Sequence, residues 1–172
     1  ELNTLWRQLT ESKLVLPVKH LHIFDMDGTL AFSPGPTPDN KDLYRYHTRS
    51  WTSPHGKKPS DWWNDPVTLR HPFKAPPIKS TIKAYHSAHS DPHSKVIVMT
   101  GRRDSEGMRD TVKSVVDNLT GHEHEHGKNL FLKPAARPGE KEVKADDWKV
   151  EMLKRFMGEH PDLKHIHIWD DR

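Results

Sequence analysis

Apolar and polar positions alternate along this chain in blocks that predict strands and helices in turn. Leu21 to Phe24 is a short bulky run with only His22 breaking it, which suits a strand over 20 to 24 buried on both faces. Lys95-Val96-Ile97-Val98-Met99 is β-branched and uninterrupted, and predicts a second buried strand. Residues 129 to 132 and 165 to 169 predict two more. Between them the apolar period lengthens to that of helices. Ile78, Ile82 and Tyr85 mark one over 78 to 90, broken by Asp91-Pro92. Met108, Val112, Val115, Val116 and Leu119 give a stripe over 105 to 119, closed by Gly121. Trp148, Met152, Leu153 and Phe156 point inward from a helix over 147 to 157, with Gly158 after it. Leu2, Leu5, Trp6, Leu9 and Val15 predict an amphipathic helix over 1 to 16, stopped by Pro17. Strand and helix alternating in this order imply right-handed crossovers and a parallel sheet with helices on both faces. The expected fold is α/β, a three-layer sandwich with a Rossmann-like sheet.

The periodicity fails between residues 31 and 77, and that stretch is expected to be a long insertion after the first strand. It opens on a stiff segment holding Pro34, Gly35, Pro36 and Pro38. Trp51, Trp62, Trp63, Pro76 and Pro77 are its later landmarks. A loop of this length in a compact domain calls for a function, and its point of departure places it over the carboxyl end of the first strand. The Trp residues can serve as a substrate platform or as a small satellite core of the insertion.

Composition and charge sharpen this picture locally. The chain has 172 residues, 33% hydrophobic and 30% charged with 14 prolines, which fits one domain of ordinary size with a modest core. Cysteine is absent, which excludes disulfides, thiolate metal sites and a cysteine nucleophile. No apolar run approaches membrane-spanning length and no signal-peptide pattern opens the chain, so an intracellular protein of unspecified compartment is expected. The chain begins at Glu1 without Met and stops directly after a strand, so it is expected to be a fragment, cut short at its C-terminal end. Net charge is only +3, but residues 43 to 83 hold eight lysines and arginines against two acids. Three of the six tryptophans share that window. A basic, aromatic-rich stretch suits phosphates and stacked bases.

Candidate chemistry gathers where the predicted strands end. After the first come Asp25-Met26-Asp27-Gly28-Thr29, two carboxylates one residue apart and then a tight turn. Two buried anions cost free energy unless a cation sits between them, and Mg²⁺ with oxygen ligands is the economical choice. Gly28 permits the turn, and the Thr29 hydroxyl is expected to tie it to its own backbone. After the second strand come Thr100-Gly101-Arg102: a hydroxyl donor, close backbone approach and a guanidinium fork for phosphate. Lys133 follows the third strand and Asp170-Asp171 the fourth. In parallel sheets ligands bind at the carboxyl ends of strands, so four clusters there are expected to converge. A separate run alternates His122, His124 and His126 with Glu123 and Glu125. An extended run would put three imidazoles on one face for a transition metal. A solvated loop titrating near neutral pH is the plainer expectation.

Taken as a set, these motifs resemble the haloacid dehalogenase superfamily of phosphatases. Phe24-Asp25-Met26-Asp27-Gly28-Thr29-Leu30, Ser33-Pro34, Trp51, Ser53, Trp62-Trp63, Pro66, Thr100-Gly101-Arg102, Leu132-Lys133-Pro134, Trp148-Lys149 and Asp170-Asp171-Arg172 resemble the corresponding domain of fungal Swiss Army Knife RNA repair proteins. The ends of the second and fourth strands are also similar to the 3′-phosphatase half of phage polynucleotide kinase-phosphatase. The resemblance implies that Asp25 is the nucleophile and Asp27 the general acid and base. It implies that Mg²⁺ is held by Asp25, by the backbone carbonyl of Asp27 and by Asp171 and Asp170. Thr100 would bond the transferring phosphoryl group, and Gly101, Arg102, Trp51, Trp62 and Trp63 would bind substrate. The supporting lysine is either Lys149 or Lys133. RNA or other phosphorylated nucleic-acid ends are the implied partners, with the oligomeric state left open. A small-metabolite phosphatase and a non-catalytic RNA-binding module with the same fold are the competing readings.

Overall fold

The computed structural model describes residues 16–33, 35–48, 59–105 and 107–171, with backbone alone for residues 59–61. Four parallel strands form one sheet: β1 (His20–Phe24), β2 (Ser94–Asp104), β3 (Leu130–Pro134) and β4 (His165–Trp169), in spatial order β3-β2-β1-β4. The helices are α1 (Lys41–His47), α2 (Lys79–His89), α3 (Met108–Thr120) and α4 (Ala145–Glu159). Alternation along β1 sends side chains to two cores. Phe24 packs with Val98, Leu130 and Leu132 against Tyr85 of α2 and Met108, Val112 and Val116 of α3. Leu21 and Ile23 pack with Ile97, Met99 and Phe131 against Trp148 and Phe156 of α4. Helices therefore cover both sheet faces, as an α/β three-layer fold requires.

Three local departures bear on the site. β2 does not stop at Met99 but runs on to Asp104, and its register against β3 jumps from Thr100↔Leu132 to Arg103↔Lys133. Gly101 and Arg102 are thus extra residues on β2, a bulge that re-aims the side chains beside it. β4 is not a buried strand: it is the sheet edge, with His165, His167 and Ile168 exposed. Its imidazoles stack on those of β1, His165 on His20 at 5.2 Å and His167 on His22 at 4.3 Å between ring centroids. The insertion, in turn, is not a structureless loop. It carries α1 and two 3₁₀ turns, Pro59–Asn64 and Pro66–Leu69. The second turn is capped by the Asp65 carboxylate, which accepts from Val67 N at 3.1 Å. The expected helix over 1 to 16 falls, except for Leu16, outside the described residues, as do Trp51 and Ser53.

Candidate active site

The parallel sheet brings the strand ends together because β1 lies between β2 and β4. Asp25 follows β1 directly, and its amide donates to Trp169 O at 2.9 Å, extending the β1–β4 pairing. Asp170 and Asp171 therefore emerge beside it. Asp25, Asp170 and Asp171 each offer a carboxylate oxygen within 4.8 Å of the others. The turn after Asp25 makes room for the third acid. Gly28 has φ of +73°, and a Cβ built on it would lie 2.3 Å from Asp171 Oδ2. Only glycine satisfies both the left-handed backbone and that approach.

Lys149 of α4 reaches into the acidic cluster. Its Nζ lies 2.7 Å from Asp170 Oδ2 and 3.3 Å from Asp25 Oδ2. The helix starts at Ala145, so Lys149 stands one turn in, next to the buried Trp148 that seats the helix on the sheet. Lys133, the other candidate, pairs with Glu142 and donates to Val143 O at 3.2 Å. It pins the chain leading into α4. The structure thus places Lys149, and not Lys133, against the Asp25 carboxylate.

Burial pushes the Asp25 carboxyl up to about 6, with Lys149 opposing and the Asp170 and Asp27 charges reinforcing the rise. One lysine does not balance the local acids, and their oxygens form a hard donor set. Asp25, Asp170 and Asp171 fit a magnesium-type cation on both counts.

Asp27 stands apart from that set. Its carboxylate is buried and accepts from Arg102 Nη2 at 2.9 Å, from Arg102 Nε at 3.0 and 3.2 Å, and from the Thr100 hydroxyl at 3.3 Å. This leaves the Asp27 backbone carbonyl as the donor to a cation that the resemblance implies. The Arg102 guanidinium is fully buried and also donates to Trp63 O at 2.9 Å and Thr68 Oγ1 at 3.0 Å, with the Trp63 ring 4.4 Å from Cζ. Arg102 is therefore turned to Asp27 and the insertion, not open to a phosphate as expected. The β2 bulge is the reason, since it directs the side chain inward.

The remaining candidates lie as follows. Gly101 lies against α4, where a Cβ would meet Ala145 Cβ at 3.2 Å. Trp62 packs edge-on to the buried Tyr44 at 5.3 Å and covers Gly35, while Phe73 closes on Tyr44 at 4.5 Å. That is the satellite core; Trp62 and Trp63 spend ring faces on the protein itself. The Thr29 hydroxyl is buried and has no partner among the described residues. The Thr81 hydroxyl of α2 instead caps Thr29 O, and backbone bonds from Leu30 N and Ala31 N to Met26 O, each 2.9 Å, close the turn. The histidine run does not share a face. His124 is buried against Tyr85 and Asp117, His122 stacks on His89 and His126 approaches Asp104. Thr68 and Glu142 were not legible as site residues, lying in segments without periodicity.

An open cavity of about 80 Å³ runs from this rim along α4, with Asp25, Lys149 and Asp170 at one end and Ile23, Met99, Leu153 and Ile168 along its walls. No helix among the described residues is long and apolar enough to cross a membrane.

A Rossmann-like sheet with clustered carboxylates and a lysine at its carboxyl rim defines a domain of the haloacid dehalogenase kind, a class of phosphatase-type hydrolases. The chain belongs to HAD domain family 1 in Swiss Army Knife RNA repair proteins, which it matches over residues 33–172. It is also similar to the uncharacterized protein YMR265C of Saccharomyces cerevisiae, with 27% identity over 169 residues. That alignment takes in 90% of this chain and 35% of the yeast protein, so the chain spans well under half of that relative.

Proposed function

We propose that this domain is a Mg²⁺-dependent phosphomonoesterase acting on nucleic-acid ends, 3′-phosphorylated RNA first among them. The observation that carries the reading is the convergence of Asp25, Lys149, Asp170 and Asp171, from three separate chain segments, at one rim of the sheet. The Asp25 carboxylate attacks phosphorus, and the ester P–O bond breaks with its electron pair passing to the leaving oxygen. Asp27 gives that oxygen a proton, so the alcohol departs and an aspartyl-phosphate remains. Water then attacks phosphorus, Asp27 takes its proton, and the acyl-phosphate bond opens to return the Asp25 carboxylate and free phosphate. Lys149 holds positive charge beside Asp25, where the anionic phosphoryl group must approach. Mg²⁺ held by Asp25, Asp170 and Asp171 would offset the remaining repulsion and polarise the phosphoryl oxygens.

Phosphate release from a 3′-phosphorylated oligoribonucleotide tests this. Release is expected with Mg²⁺, none with chelator, and none from Asp25→Asn. Tight binding with no release would favour the non-catalytic RNA-binding reading. The apolar walls of the cavity beside Asp25 favour a second reading, a small ester whose leaving group is apolar. Sugar phosphates, nucleotides and aryl phosphates in the same panel separate the two; equal or better turnover of those esters rejects the nucleic-acid assignment.

A further inference from the structure

A fully buried guanidinium is costly, and apolar packing usually serves a core as well or better. Arg102 is nevertheless enclosed next to the site, and among the described residues its side chain donates to Asp27 and to the insertion. Neutralising Asp27 needs only a positive charge, which a lysine would bring. A planar fork brings more: it fixes the plane of the carboxylate it grips. Oδ1 takes Nη2 at 2.9 Å and Nε at 3.2 Å, both fixed N–H donors. Oδ2 takes Nε at 3.0 Å and the Thr100 hydroxyl at 3.3 Å, the longest of the four. The shared Nε–H and the Nη2 donor together hold both oxygens, and so fix the orientation of the carboxylate.

We infer that Arg102 is a positioning residue for Asp27: its fork grips both carboxylate oxygens and fixes their plane, and it is itself held by Trp63 and Thr68 of the insertion. The inference rests on the reading of Asp27 as general acid and base. The insertion then contributes to chemistry, and not only to substrate contact, because it holds the arm that orients the acid.

The test is leaving-group sensitivity in kcat/KM, which reports steps up to departure of the alcohol. An alkyl ester needs its leaving oxygen protonated; p-nitrophenyl phosphate does not. Arg102→Lys keeps the charge and loses the fork, and Thr68→Val removes one anchor without unburying a charge. For alkyl phosphates (the 3′-phosphorylated oligoribonucleotide and β-glycerol phosphate), Arg102→Lys is expected to lower kcat/KM about 10²-fold, the lower range for a lost proton transfer. The aryl ester should lose less than about tenfold under the same change. Thr68→Val should skew the ratio in the same direction by a smaller factor, with its Tm confirming that it folds. Equal losses on both ester classes in folded variants would overturn the inference and leave the phosphatase reading standing. A greater loss on the aryl ester would overturn it in favour of a phosphate-gripping Arg102. A wild-type domain inert towards every ester would overturn the reading of the site and this inference with it.

Discussion

At the scale of single residues, the site depends on which lysine meets Asp25 and on one glycine. Lys149 Nζ lies 3.3 Å from Asp25, whereas Lys133 is taken up by Glu142 and Val143 O. Lys149→Ala is expected to lower kcat about 10²–10³-fold, as loss of a preorganised electrostatic donor does. Lys133→Ala should cost less than about tenfold, since its ion pair with the part-exposed Glu142 is worth little in isolation. Steady-state turnover of both variants checks this, and the reverse order would move the site to β3. Gly28 is constrained twice, by φ of +73° and by Asp171 Oδ2 at 2.3 Å from where a Cβ would sit. Gly28→Ala should therefore lose about 1–2 kcal/mol from the backbone alone. It should also weaken Mg²⁺ binding by pushing Asp171 aside. Thermal melts with and without Mg²⁺ separate the effects: the stabilisation given by the cation should shrink relative to wild type.

Between elements, the joint of α2 and α3 carries a pH dependence of its own. His124 is buried where the chain leaves α3, with Nδ1 2.8 Å from Asp117 of α3 and Nε2 2.9 Å from the Tyr85 hydroxyl of α2. Burial lowers its pKa, against opposing pulls from Asp117 and from the hydrogen bond to the His122 backbone carbonyl. The folded pKa thus lies below the ordinary value of about 6.5, so the unfolded chain takes up the proton first. The stability this neutral histidine contributes is whole above about pH 6.5 and is lost as pH falls through the folded pKa. His22, His122 and His160 are lowered in the same direction, each with burial as the first cause. Tm should fall from pH 7 towards pH 5, and His124→Gln should flatten part of that slope. An unchanged slope in the variant would place the titration elsewhere. This joint also shows what a sequence can disclose. The order of elements, the ends of β1 and β4 and the acids at the rim were legible, because hydrophobic period needs no knowledge of partners. The alternating histidines suggested a shared face only on the assumption of an extended chain, and the chain forms no strand over residues 122 to 126, so that His122, His124 and His126 each meet a different partner. Arg102 misled for a similar reason. A guanidinium after a strand reads as a phosphate grip until the two-residue bulge in β2 turns it inward, and no local pattern announces a bulge.

For the molecule as a whole, the balance of charge near the rim bears on substrate. Pairing of Ala31 with Pro77 and the bond from Ile78 N to Leu30 O, 2.9 Å, dock the start of α2 beside the turn that follows Asp27. Lys74, Lys79 and Lys83 are exposed on this approach, while Arg70 is turned to Thr111 of α3. Exposed cations on this segment are expected to do little for a small ester, whose one phosphate would be held by the site itself. A polynucleotide brings further phosphates, and each one neutralised releases counterions. The two substrate classes should therefore part under salt. KM for a 3′-phosphorylated oligoribonucleotide is expected to rise steeply with NaCl, with a log–log slope of about 0.7 per phosphate contacted. KM for p-nitrophenyl phosphate should stay nearly flat over the same range. Replacing Lys79 and Lys83 together by Gln should lower the oligonucleotide slope by about 1.4, at about 0.7 for each, and leave the aryl ester unaffected. A flat salt response for the oligonucleotide would detach the basic segment from substrate binding and shift the weight to the cavity along α4.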